Sequence, residues 1–476
     1  MSASSPYLLR RLVELGAATS DEAAMLVSTL GVLTLADLHA ALDDGLVTRA
    51  GGEALAARLL YAVRTIESDV REFPLGPARD ILDAAVAAIA AVAPQIEALI
   101  PAGDARRFES IVSSLAVVGR AADPRAAIDA MSGTAMFSPV LHAGDCRAIV
   151  TFQQVEIDVR IAARHEYGTA LVTATGSSAH LAALRERPGS ARVAASEQEV
   201  YAQAGLHYVP PELRQGTGEI EAAASGTLPD LITRAQIRGD LHMHTHYSDG
   251  ADSTDAMIEA CCALGYEYVA ITDHSERAAA SRTVSASQLA RQRDEIARLR
   301  DRYPQIAVLH GVEVEIMPDG SLDFPDRVLE RLDIVLASLH DSARQDPKTL
   351  TGRCIEAIRH PLVNIITHPA NRLVGRRAGY PLDFAAVYAA AAESGTVLEI
   401  DGAPSHLDLD GEHARAAIGA GVTVSIDSDC HRARLLDRQM QLGVGTARRG
   451  WVEARHVLNA RPLEDVRAFI QRKRNK

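Results

Sequence analysis

Cysteine is scarce in this chain. Five occur in 476 residues, at 146, 261, 262, 354 and 430, and no two are spaced Cys-x-x-Cys. An odd count without that spacing excludes a disulfide framework and a thiolate zinc ribbon, and favours a reducing, cytoplasmic setting. Aromatic residues make up only 4%, with a single Trp, so the cores must be largely aliphatic. Basic residues are in deficit: 49 Lys and Arg against 62 Asp and Glu give a formal net charge of −13. That balance excludes a protein that coats nucleic acid by charge alone and confines any DNA contact to local patches. No clean apolar run is long enough for a membrane span. The most apolar stretch, 84–100, contains Pro94, Gln95 and Glu97 and reads as a core helix. Residues 1–10 lack a basic-then-apolar signal pattern, and short repeats and low-complexity tracts are missing too.

What is there is ordinary globular material, 47% hydrophobic and 23% charged. The chain is long enough for two to four domains of roughly 100–200 residues each. Residues 1–70 look all-helical: Leu8, Leu9, Leu12 and Leu15 recur at helical spacing, and Gly16, Gly31, Gly45 and the Gly51-Gly52 pair punctuate short helices. A long helix is expected over 78–99. Beyond residue 113 the texture turns β-rich, with strands at 114–118 and 146–152 and an alternating run at 155–159. Residues 214–229, polar and Gly-rich, read as a linker. From Gly239 the rhythm becomes strand, loop, helix, repeated, with strands at 268–272, 307–309, 334–338, 364–367, 396–400 and 422–426. That alternation predicts a parallel α/β barrel or doubly wound sheet. The basic tail, 471–476, is expected to fray.

The chemistry sits at the ends of those strands. His242-Met243-His244, followed by Asp249, closes the first, and Asp273-His274 the second. Glu313, Leu339-His340 and Thr367-His368 follow the next three, and Asp429-Cys430-His431 closes the last. In a parallel barrel the C-terminal strand ends converge on one face. His242, His244, Asp249, His274, Glu313, His340, His368, Asp429 and His431 should therefore meet in one pocket. Six imidazoles and three carboxylates cannot share a pocket as bare groups, and divalent cations resolve the conflict. Nine ligands suffice for two or three metals with open positions, and mixed His and carboxylate donors suit Mn, Zn or Fe. Glu313 is the candidate bridging carboxylate, with Asp429 and His431 candidates to assist the leaving oxygen. Arg353, Arg372 and Arg376 lie just after or between strand ends and are candidates to clamp a substrate phosphate. His310, His360 and His406 fall off the pattern and read as ordinary polar residues.

These motifs resemble the polymerase-and-histidinol-phosphatase (PHP) domain over residues 237–476, with a matching position for all nine family ligands. The resemblance implies a distorted (β/α)7 barrel, a trinuclear metal site and phosphoester hydrolysis. Upstream, 201–214, 218–223 and the extended Gly239-Asp240-Leu241-His242-Met243-His244 resemble bacterial and archaeal family X DNA polymerases, as do 447–451 and Val457-Leu458-Asn459. The implied organisation is multidomain: a degenerate helix-hairpin-helix-like helical region over 1–70, a degenerate α+β palm/thumb-like region over 71–235, and a PHP domain over 236–476.

The departures from that family are specific. Its glycine hairpin is not intact at Leu15-Gly16-Ala17. Asp104 stands where the family has a triphosphate-holding Ser, and Val112-Ser113-Ser114-Leu115-Ala116 where it has Asp-x-Asp. Only the third acid survives, as Asp158. Thr173-Ala174-Thr175-Gly176-Ser177 replaces Tyr-Phe-Thr-Gly-Ser, and His180-Leu181 replaces His-Asn. One carboxylate cannot hold two Mg²⁺ ions, so polymerisation is expected to be lost. The resemblance then implies a manganese-dependent 3′–5′ exonuclease or 3′-end-processing phosphoesterase acting on DNA. The alternatives are a small-molecule phosphatase of histidinol-phosphate type and a non-catalytic DNA-binding scaffold. Arg106, Arg107, Arg160 and Arg185 lie in segments resembling the DNA-facing parts of a polymerase.

Overall fold

A computed structural model describes residues 5–69, 72–278 and 280–475. The chain divides into two compact units, Met1–Leu228 and Pro229–Lys476.

The first unit opens with helices Tyr7–Glu14, Ser20–Leu30, Leu35–Asp43 and Leu46–Asp69. Thr19 and Thr34 cap the second and third through reciprocal bonds with Glu22 and Asp37. Gly52, at φ 83°, kinks the fourth where the Gly51-Gly52 pair predicts a break. Leu12, Leu26, Leu38, Leu55, Leu59 and Ile66 form their shared core. The helix expected over 78–99 is instead Leu75–Val92, and 97–101 is a strand. Pro94 explains this, because it cannot continue a helix and pushes Ala93 out of the helical region (φ −132°). The apolar stretch 84–100 is thus part helix and part strand.

A five-stranded sheet follows: β1 (Glu97–Pro101), β2 (Leu115–Ala121), β3 (Val140–Ala143), β4 (Arg147–Phe152) and β5 (Val155–Ala163), in the order β1-β2-β5-β4-β3. The expected linker at 214–229 is folded instead. Arg214 is fully buried, donating to Val209 O (3.0 Å) and Glu197 Oε1 (2.5 Å), and 219–225 is a helix with Glu219 buried at its start. Polar composition here reflects satisfied buried charge.

The second unit is a seven-stranded parallel sheet: β6 (Gly239–Asp240), β7 (Tyr268–Ile271), β8 (Ala307–Glu315), β9 (Ile334–Ser338), β10 (Ile365–Ile366), β11 (Val397–Asp401) and β12 (Val424–Asp427), in sequential order. Side chains alternate along each strand. Tyr268, Ala270, Leu309, Ile334, Leu336, Ile365 and Val397 fill one core together with Leu458, Val466 and Ile470 from the C-terminal segment. Val269, Ile271, Val308, Val335 and Ala337 belong to a second core shared with the surrounding helices. Of the tail expected to fray, 471–474 belong to helix Leu463–Arg474, whose Lys473 is buried and donates to Ile358 O at 2.9 Å, while Lys476 lies outside the described residues.

β6 and β12 do not pair as strands; side-chain hydrogen bonds and, beyond the strand ends, a short bridge close the seam between them. On the N-terminal side, Asn459 Nδ2 donates to Gly239 O (2.9 Å) and Ile426 O (2.6 Å), while Ile426 N donates to Asn459 Oδ1 (3.0 Å). On the C-terminal side, Met243 and Cys430 form a parallel bridge, with His244 N donating to Cys430 O at 2.9 Å.

Candidate metal centre

The strand ends deliver their residues to one mouth. The Met243–Cys430 bridge sets His242-x-His244 beside Asp429-x-His431, and alternation turns both members of each pair the same way. His242 Nε2 and His244 Nε2 lie 3.1 Å apart, and Asp429 Oδ1 is 3.0 Å from the latter. Glu313, fully buried on β8, is the hub. Its oxygens lie 2.7 Å from His274 Nδ1, 3.0 Å from His368 Nε2, 3.3 Å from His340 Nε2 and 3.5 Å from His242 Nε2. Asp249 Oδ1 stands 3.2 Å from His431 Nε2 and 3.5 Å from His274 Nε2. The pocket opens on the His431 side, whose side chain is 35% exposed.

These residues fit divalent metals on chemistry as well as proximity. Donor sets within 4.8 Å of one another form at His244, Asp249, His274 and His431; at His242, His244 and Asp429; and at His274, Glu313 and His340. Several buried atoms here, including His274 Nδ1 and Glu313 Oε2, are close but misaligned for hydrogen bonding. Two imidazole nitrogens face each other at His242 and His244, an arrangement that lone pairs converging on a cation explain. Electrostatics agree. Burial pushes Glu313 up, but His274, His340 and His242 outweigh it and hold the carboxyl well below its usual range. Burial opposes protonation of His340, yet Glu313 and Glu315 lift it to about 10. For His244, burial and the neighbouring His274 and His431 bring it down to about 3.

A second layer, which the sequence reading missed, aims these groups. Glu399 of β11 accepts from His242 Nδ1 (2.7 Å), Thr367 Oγ1 (2.5 Å) and His368 N (2.8 Å). Glu315 Oε2 meets His340 Nδ1 at 2.6 Å. Such carboxylates fix the tautomer so that Nε2 faces the metal. The available signal was a lone acid inside an apolar strand run, as in Leu398-Glu399-Ile400. His368 and Asp429 also occupy the left-handed region, at φ 31° and 47°, a strain of the kind stored at functional sites.

The arginines expected to clamp phosphate fare differently. Arg353 is buried and donates to Ile316 O (3.1 Å) and Asp341 O (2.6 Å). This corrects the expectation: its guanidinium braces the loop that carries His340. Arg372 donates to His406 O (2.9 Å), Leu407 O and Asp410 Oδ2 (3.2 Å), so it too braces a loop. Arg376 is exposed. His406, read as an ordinary polar residue, stacks on His368 with ring centroids 5.0 Å apart.

In the first unit, a cavity of about 720 Å³ is lined by Ser113, Ser114, Leu115, Glu156 and Asp158 among others. Among the described residues no set of three metal-ligating donors converges there. Asp158 is buried and bound by Arg147 (2.8 Å) and Arg160 (2.8 Å), which also reach Asp37. Burial raises its pKa, but the two arginines outweigh that and hold it low. Three arginines of the segments that resemble DNA-facing parts of a polymerase are likewise paired within the unit: Arg106 with Glu197, Arg107 with Asp104, Arg185 with Asp44.

The PHP domain family matches residues 240–367. The chain is 37% identical over 391 residues to the DNA polymerase/3′-5′ exonuclease PolX of Bacillus subtilis, covering 78% of this chain and 68% of that protein. The chain belongs to the PolX family. The chain is also 30% identical over 211 residues to a protein named "Probable phosphatase" from Caldanaerobacter subterraneus, covering 42% of this chain and 78% of that one. A solved histidinol phosphate phosphatase from Lactococcus lactis, in complex with zinc, L-histidinol and phosphate, is 16% identical, with a TM-score of 0.34 over 44% of this chain and 94% of its own. Among the described residues of this PolX relative, no single helix is long and apolar enough to cross a membrane.

Proposed function

We propose that this PolX relative is a metal-dependent phosphoesterase that hydrolyses ester bonds at DNA 3′ ends, as a 3′–5′ exonuclease or end-processing enzyme, with a first half that no longer polymerises. The observation that carries this reading is the convergence of six imidazoles and three carboxylates at the barrel mouth, with Glu313 as their hub. His242, His244, Asp249, His274, Glu313, His340, His368, Asp429 and His431 hold two or three divalent ions, Mn²⁺ foremost and Zn²⁺ or Fe²⁺ as alternatives. When bound, such ions lower the pKa of water and polarise phosphoryl oxygens. Glu313 would be the carboxylate shared between adjacent ions. Asp429 and His431, on the open side, act at the leaving oxygen, and Arg376 steers the phosphate. Residues 1–70 are a worn helix-hairpin-helix region, 71–235 a degenerate palm and thumb, and 236–476 the PHP domain. The five free cysteines support a cytoplasmic setting.

A second reading, hydrolysis of a small phosphate ester, is favoured by the internal pairing of Arg106, Arg107, Arg160 and Arg185, which leaves those four side chains little charge for DNA. Purified protein with Mn²⁺ should be given 3′-recessed duplex DNA and histidinol phosphate side by side. We expect DNA hydrolysis to dominate, and His340→Ala or Glu313→Ala to reduce it by about a thousandfold. Turnover of the small ester alone would select the second reading, and undiminished activity in both variants would move the site elsewhere.

A further inference from the structure

Six of the seven barrel strands supply the nine residues of the proposed centre. The remaining one, β11, ends at Asp401 and leads into the loop that carries His406. Asp401, His406 and Asp429 offer donor atoms that all lie within 4.8 Å of one another. From this we infer a further divalent-cation position at the β11 end, built from Asp401, His406 and a shared oxygen of Asp429.

Each donor is prepared for the task. Asp401 is fully buried. Its Oδ1 accepts from Ala403 N at 2.5 Å, while its Oδ2 has no hydrogen-bond partner. A buried, unpartnered carboxylate oxygen is costly unless something cationic meets it. His406 Nδ1 lies 2.9 Å from Arg372 O, so that nitrogen carries the proton and Nε2 keeps its lone pair. This is the orientation a metal-binding imidazole needs. The ring is held flat against His368 with an interplanar angle of 20°, and Arg372 pins the loop through His406 O and Leu407 O. Asp401 also pairs in register with Asp427 of β12, which sets it beside the turn that carries Asp429. Two carboxylate oxygens and one imidazole suit Mn²⁺ or another oxygen-preferring divalent ion, not a thiolate-seeking one. Three protein donors leave positions open for water or a phosphate oxygen.

Because Asp429 is shared, the inference rests on the proposed centre, and the test separates the two. The full chain, and its Asp401→Asn and His406→Asn variants, should be saturated with Mn²⁺, dialysed and counted by elemental analysis. Asn at 401 keeps an oxygen for Ala403 N, and Asn at 406 keeps a donor for Arg372 O. Each variant should bind one Mn²⁺ fewer per chain than the wild type. Equal counts in all three proteins would overturn the inference while leaving the centre standing. Anomalous diffraction from Mn²⁺-soaked wild-type crystals gives a second reading that no folding defect can confuse. A peak between Asp401, His406 and Asp429 supports the site, peaks around Glu313 without that one overturn it alone, and no peaks at all overturn both.

Discussion

At the scale of single residues, the centre depends on side chains that never touch the metal. Glu399 accepts three hydrogen bonds and sets both His242 and His368. Glu399→Gln keeps the volume but replaces one acceptor oxygen by an amide donor facing His242 or Thr367. Outer partners of this kind typically contribute 10–100-fold in metal affinity or activity, so Mn²⁺ titration of the variant should show an affinity about 10–100-fold weaker at unchanged secondary structure. The residue scale is also where the sequence was most legible. His242, His244, His274, His340, His368 and His431 stand out because imidazoles rarely end apolar strands by accident. Glu399 and Glu315 were marked only as acids inside apolar strand runs, because an acid in a strand gains its meaning from a partner on another strand, which spacing cannot reveal. Arg353 and Arg372 misled for the mirror reason: their position near the mouth was legible, but the backbone carbonyls that occupy them were not.

At the scale of elements, tight approaches decide the geometry. A Cβ on Gly250 would lie 2.5 Å from His244 O and 2.6 Å from Thr245 N, and these are backbone atoms that cannot yield. Gly250→Ala should therefore displace the loop holding Asp249. A shift of about 1 Å can cost on the order of a hundredfold in rate, and kcat should fall by that amount while circular dichroism stays native. In the first unit, the helix Glu197–Gln203 is tied to Arg106 and Arg214 by Glu197. Burial pushes that carboxyl up, but the two arginines outweigh it and bring it from 4.5 down to about 2. The folded state thus binds this proton less readily than the unfolded chain. Its contribution, a few kcal/mol by linkage, is complete above pH 4.5 and is lost as the pH falls towards about 2. Urea unfolding of wild type and Glu197→Gln should differ by about 3 kcal/mol at neutral pH, and the gap should close across that acid window. Helix and strand boundaries were legible wherever period and breakers agreed. They failed at 93–101, where alanine content suggested helix beyond a proline that forbids it, and at 214–229, where buried ion pairs resemble linker composition.

At the scale of the whole molecule, the second unit gathers metal-type donors at one mouth, while in the first unit Asp158 is tied up by arginines. Ser113, Ser114 and Leu115 line the cavity where a polymerase would carry acids, and Asp158 is held between Arg147 and Arg160. Template-directed primer extension should be undetectable with either Mg²⁺ or Mn²⁺. The measurement that counts is extension by a Glu313→Ala variant, so that degradation cannot hide synthesis, and any elongated product there would contradict the assignment. The barrel seam carries a last consequence, in time. Asn459 joins β12 to Gly239 O across 220 residues of chain. A ribosome adding roughly 5–20 residues per second delivers the two sides of that seam about ten to forty-five seconds apart. For most of that interval, until residue 431 has been made, His242 and His244 stand without Asp429 and His431. The barrel is therefore an open sheet with a half-built mouth until synthesis is almost over, and the nine-residue donor set is complete only once His431 has been made.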